Sequence, residues 1–251
     1  MNDPHVEMIS YDFVSLNERD DFTAAVPWSG VLGDFECRLD KGQLQAVPQK
    51  HYSDAVPARQ ALEGHLREWE LVADISLALQ ISFRFSGARV VDRQPMPGSV
   101  NVAVQAVEAA ASFESVSVTI GHSAYPSPPV RPLALSPLVQ ELRRLLHDLR
   151  TGQRVLVIAN LILAGVEYEY GGKRRTSSAI AVSLPVLRTL GRLAAKNDPA
   201  ERRKVEGPIA PLTQNEKQWI QAVLPRLVLQ VAEVAAGSQP PVLTMADFPP
   251  L

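Results

Sequence analysis

Residues 125–137 read Tyr-Pro-Ser-Pro-Pro-Val-Arg-Pro-Leu-Ala-Leu-Ser-Pro, five prolines in thirteen positions. Proline has no backbone N–H and holds φ at about −65°, so it belongs neither inside a helix nor in a central strand. The residue before each proline is pushed toward extended backbone as well. The stretch reads as a stiff connector rather than as a PxxP recognition motif. The periodicity of the apolar residues changes across it, and that change decides the fold class.

Upstream, apolar residues alternate with polar ones. Val100, Val102 and Val104 do so, as do Val116, Val118 and Ile120. Phe35-Glu-Cys-Arg-Leu39, then Asp40-Lys41-Gly42, then Gln43-Leu44 reads as a β-hairpin. By the same signs Ile81-Ser-Phe83-Arg-Phe85, Ser86-Gly87-Ala88 and Arg89-Val90-Val91 read as a second one. One helix interrupts these strands: Ser53 or Asp54 caps it, and Ala58, Leu62, His65, Leu66 and Trp69 recur at helical spacing.

Downstream, the period becomes 3.6 residues. Ser136 caps a helix carrying Leu138, Leu142, Leu145 and Leu146, which ends near Gly152. The apolar run 155–166 forms the next helix and stops before Gly171-Gly172. Shorter helices are expected over 176–182 and 185–195. A last one starts at Thr213, where Thr213-x-x-Glu216 matches a capping box, and Pro225 inside it predicts a kink or break. The expectation is an α+β protein: residues 1–125 an acidic, mainly antiparallel strand-rich domain with one helix, 126–135 a proline-rich junction, 136–237 a basic all-helical domain, and 238–251 an irregular tail.

The 251 residues carry 25 Lys+Arg against 27 Asp+Glu, a net charge of −2. That total hides an asymmetry. Residues 1–130 hold 9 Lys+Arg against 17 Asp+Glu, and residues 131–226 hold 16 against 8. The opening residues carry acids where a secretory signal is basic, and the apolar run 155–166 falls short of the ~18 residues that cross a bilayer. A cytoplasmic protein with no membrane contact is expected.

Most catalytic motifs are missing. There is no GxGxxG, and Gly171-Gly172-Lys173-Arg174 puts Arg174 where a phosphate-binding loop needs Ser or Thr. Gly121-His122-Ser123-Ala124-Tyr125 lacks the closing glycine of a nucleophile elbow. The single cysteine, Cys37, lies in an expected strand and reads as a small buried hydrophobe. The histidines at 5, 51, 65, 122 and 147 have no metal-ligand spacing, so no metal and no cofactor are expected. Asp34 and Glu36 flank Phe35 and read as a solvated strand face.

One segment resembles something known. Ile180-Ala181-Val182-Ser183, followed by Val186-Leu187, is similar to the core of a bacterial helix-turn-helix. On that resemblance Val182 packs in the turn, Ser183 caps the second helix, and Val186, Leu187, Leu190 and Leu193 form its buried stripe. Arg188, Arg192 and Lys196 recur four apart, preceded by Lys173, Arg174 and Arg175, so these six side chains form a surface for phosphate or carboxylate groups. Ala181 stands where the turn glycine is usual, and Leu184 and Pro185 offer no hydrogen bonds to a base edge.

The expected function is a non-enzymatic interaction protein whose basic helical half meets an acidic macromolecular surface, protein or nucleic acid. The alternatives are a helix-turn-helix-like DNA-binding regulator, and a small-molecule-binding protein or enzyme with a site in the strand-rich half that uses Asp34, Glu36 and Arg84.

Overall fold

The computed structural model describes residues 3–17, 19–94, 120–196 and 210–251. The chain divides into two compact units, Met1–Pro128 and Pro129–Leu251, with the division inside the proline run. The fold is α+β, with an antiparallel five-stranded sheet and one long helix in the first unit and helices in the second. The alternating valines at 100–104 and 116–118 lie outside the described residues.

The first unit is built on β1 (Pro4–Ser15), β2 (Asp20–Asp21), β3 (Trp28–Leu32), β4 (Phe35–Asp40), β5 (Gln43–Pro48), α1 (Ala55–Leu77), β6 (Ile81–Asp92) and β7 (Ile120–Gly121). The sheet runs β3-β4-β5-β1-β6, and β2 pairs with β7 in a small parallel ribbon. Alternation puts Phe35, Cys37 and Leu39 of β4 on the buried face, with Leu44 and Ala46 of β5 directly opposite Leu39 and Cys37. These side chains share a core with Leu62, Leu66 and Trp69 of α1.

Two residues, Lys41 and Gly42, join β4 to β5, both at positive φ (49° and 75°). Such a turn matches the right-handed twist of the strands it joins. Asp54 caps α1, its carboxylate accepting the Val56 N–H at 2.7 Å; caps of this kind contribute about 1 kcal/mol.

The expected hairpin at Ser86-Gly87-Ala88 is absent. Residues 81–92 form one continuous strand that pairs along β1. Tyr11 pairs with Phe85 and Ser10 with Gly87, so Ser86 is an extra residue, a bulge. Small residues within an apolar run serve a bulge as readily as a turn, and the long partner strand settles the matter. A second shift, between Val6 and Met8, lets Val6 and Ile9 both reach the core although they are three apart.

The second unit comprises α2 (Pro137–Arg150), α3 (Val155–Glu169), α4 (Lys173–Ala179), α5 (Leu184–Ala194) and α6 (Gln214–Ala235), then a 3-10 turn at Met245–Asp247. Ser136 caps α2 by accepting the Val139 N–H, and Thr213 and Glu216 make the reciprocal capping box of α6. The apolar α3 packs against α2, α4, α5 and α6.

Pro225 does not break α6, which runs from Gln214 to Ala235. An interior proline costs about 3 kcal/mol. Val223, Leu224, Leu227 and Val228 bury fully on both sides of it, each contributing roughly 1.5–3 kcal/mol, which outweighs that cost. The helix expected over 176–182 lies earlier, at Lys173–Ala179. Gly171 and Gly172 (φ 75° and 99°) turn the chain just before Lys173, and Ala181 (φ 49°) keeps 180–182 out of the helix. The helix expected over 185–195 starts one residue earlier, at Leu184.

His5 lies on β1 with its Nδ1 3.2 Å from Nδ1 of His51. Burial, then Arg93 and His51, hold its pKa below the ordinary 6.5, while Asp3 and Glu7 pull the other way. The unfolded chain therefore takes up the proton first as pH falls, and stability falls with it. The contribution should be complete above pH 6.5, decline below it, and level off beneath the lowered folded value. Amide exchange of β1 at about pH 7.5 and 5.5, compared with a His5→Leu variant, measures this; equal pH dependence in both proteins would refute it.

Candidate functional site

The six cations singled out in the sequence lie on or beside α4 and α5, and the fold treats them differently. Lys173 opens α4 and pairs with Glu167 of α3 at 3.4 Å. Its Nζ lies where a side chain at Gly191 would begin, 2.9 Å from an ideal Cβ there, so glycine lets this lysine cross to α5. Lys196, just past α5, is held by Glu216 at 2.7 Å, and its Nζ also approaches the Pro211 carbonyl at 3.4 Å. These two lysines tie helices together.

Arg174, Arg175, Arg188 and Arg192 are exposed and make no ion pair among the described residues. Thr176 is the buried residue of α4, its hydroxyl donating to the Gly172 carbonyl, so the neighbouring arginines point away from the core. On α5 the buried stripe is Val186, Leu187, Leu190 and Leu193, which leaves Arg188 and Arg192 one helical turn apart on the outer face. In water such charges gain little from single partners, about 0–1 kcal/mol per exposed pair. Their effect grows when several meet a densely charged surface and release its counterions.

The segment between α4 and α5 is sharply bent. Ile180 and Val182 are buried, and Ala181 between them takes a left-handed φ of 49°. The tail braces this bend: the Leu243 N–H donates to the Ala181 carbonyl at 2.9 Å, and the Ser183 N–H donates to the Leu243 carbonyl at 2.8 Å. Ser183 occupies the N-cap position of α5, but its hydroxyl makes no capping bond, contrary to expectation. Leu184 is half-buried and Pro185 exposed at the start of α5, so the outward donors are the arginines.

Asp34, Glu36 and Arg84 do not converge. Asp34 sits in the turn before β4, where it pairs with Lys50. Glu36 is on β4 and Arg84 on β6, separated by β5 and β1. Three strand spacings put them about 14 Å apart. Cys37 is 1 % exposed, and burial pushes its thiol up to about 12, which removes it as a nucleophile.

His122 reaches not Ser123 but Asp20, 102 residues away, with Nε2 3.0 Å from Oδ1. No local pattern announces that pair. Among the described residues, no group of three or more His, Cys, Asp or Glu could hold a metal ion, and no single helix is long and apolar enough to cross a membrane.

Cys37 should resist a thiol reagent such as iodoacetamide in the native protein and react at once in urea; rapid native labelling would contradict its burial. Ala181→Gly should raise the stability of the second unit by about 1 kcal/mol, since a left-handed L-residue costs roughly that much. A lowered denaturation midpoint would count against the bend as described. Compared with known proteins, the chain matches no family model, no curated protein and no solved structure.

Proposed function

We propose that the protein is a non-enzymatic interaction protein whose α4–α5 surface engages an anionic macromolecule. The observation that carries this reading is the division of the basic side chains. Lys173 and Lys196 are consumed by Glu167 and Glu216, whereas Arg174, Arg175, Arg188 and Arg192 stay exposed without an ion pair among the described residues. Arginine suits the role, because its planar guanidinium meets carboxylate or phosphate through two parallel hydrogen bonds. The free thiol of Cys37 suits a reducing, cytoplasmic setting.

A second reading, a DNA-binding regulator, is favoured by the left-handed Ala181 in a tight bend between two helices. Leu184 and Pro185 at the start of α5 fit contacts to the phosphate backbone better than base readout.

The test is a titration with a mixed-sequence DNA duplex and, separately, with poly-glutamate, from about 50 to 200 mM salt. On DNA, four arginine–phosphate contacts give a slope of about −3.6 in log K against log[salt]. Binding confined to poly-glutamate would support the protein-partner reading and set the DNA reading aside. An Arg188→Glu/Arg192→Glu variant should lose at least tenfold in affinity. Absence of binding to either polyanion at low salt, or unchanged binding by the variant, would overturn the proposal.

A further inference from the structure

The first unit holds a cavity of about 400 Å³ beside the β4–β5 turn, lined by Phe13, Ser15, Asp20, Phe22, Lys41 and Gly42. Its volume lies within the roughly 300–1,000 Å³ of small-molecule sites. The walls are fixed in place. Phe13 meets Phe22 edge to face with ring centroids 5.0 Å apart, and Phe22 lies parallel to His122 at 4.4 Å and to Tyr125 at 5.7 Å. The Tyr125 hydroxyl oxygen accepts the Gly42 N–H at 2.8 Å, which anchors the turn that forms one edge.

The polar anchor is Asp20, whose side chain is only 5 % exposed. One carboxylate oxygen accepts from His122 Nε2 at 3.0 Å, and the other lies 3.3 Å from the Ser15 hydroxyl. A carboxylate offers about four acceptor directions. His122 and Ser15 take two, so Asp20 keeps capacity for a donor entering the cavity that it lines. Such a buried anion prefers a cationic or N–H-bearing guest. Lys41 stands at the rim, exposed on the turn, and supplies the opposite charge. A ring-lined body with an acidic group inside and an ammonium at the rim is complementary to one chemical class.

We propose that this cavity binds a small aromatic zwitterion of the aromatic amino-acid class, with its ring against Phe13 and Phe22, its ammonium on Asp20 and its carboxylate toward Lys41. The site lies wholly within the first unit, and it differs from the Asp34, Glu36 and Arg84 set that the sequence suggested.

The experiment is ligand-observed fluorine NMR on the full chain with three probes: 5-fluoro-L-tryptophan, 5-fluorotryptamine, which lacks the carboxylate, and 5-fluoroindole-3-propionate, which lacks the ammonium. The first probe should broaden saturably and bind tightest. Asp20→Asn should weaken 5-fluoro-L-tryptophan and 5-fluorotryptamine tenfold or more. Lys41→Asn, an exposed change that keeps a residue tolerant of positive φ, should weaken 5-fluoro-L-tryptophan severalfold and leave 5-fluorotryptamine unchanged. The second variant keeps the test decisive should Asp20→Asn disturb folding. No saturable broadening of 5-fluoro-L-tryptophan, tighter binding of the propionate, or unchanged binding by Lys41→Asn would each overturn the proposal.

Discussion

The backbone N–H that proline lacks is the constraint on which the rest of this structure depends. From residue 125 to Ser136 the chain enters neither helix nor strand, so the carbonyls of this run are met by single hydrogen bonds rather than by a ladder. The Trp69 indole, fully buried in the core of the first unit, donates to the Pro126 carbonyl at 2.9 Å. A buried donor left unmet costs about 1–3 kcal/mol, so the first proline of the run completes the core that precedes it. On the other side, the Ala134 N–H donates to the Ala232 carbonyl, and the Ser238 hydroxyl to the Pro132 carbonyl. The start of the second unit is thereby fastened to the end of α6.

Charge is spent unevenly within the second unit. Glu167 and Glu216 each take a lysine, and both pairings link elements that follow one another around α3 and α5. The α4–α5 arginines remain directed at solvent. A count of basic residues gives the sign of the surface, whereas the pairing determines which groups are available to a partner. In the first unit Asp34 is likewise paired with Lys50, and Asp20 in part with His122.

Much of the architecture was legible because its signals are local. Ser136, Asp54 and the Thr213–Glu216 box each cap the helix that their sequence announces. The Lys41-Gly42 turn follows from a glycine placed directly after Asp40-Lys41 between two alternating runs, although Lys41 too takes a positive φ. The misreadings share a cause as well. Ser86-Gly87-Ala88 looks like a turn until the whole length of β1 pairs beside it, and of the kink or break read at Pro225 the break is excluded once α6 buries the residues on both sides of it.

Read along the chain alone, the change from period 2 to period 3.6 at the prolines, the caps of α1, α2 and α6, the β4–β5 turn and the charge asymmetry are all present. The caps and the turn are set by residues within a few positions of one another, and the charge asymmetry is a plain count over each half. The tertiary structure alone decided which of the six cations stay free, why Asp34, Glu36 and Arg84 form no site, and how Asp20 meets His122 beside a cavity walled by Phe13 and Phe22. Such facts rest on distances between elements far apart in the chain, here 102 residues for the Asp20–His122 pair. Spacing along a folded chain carries no record of those distances until strands pair and helices pack.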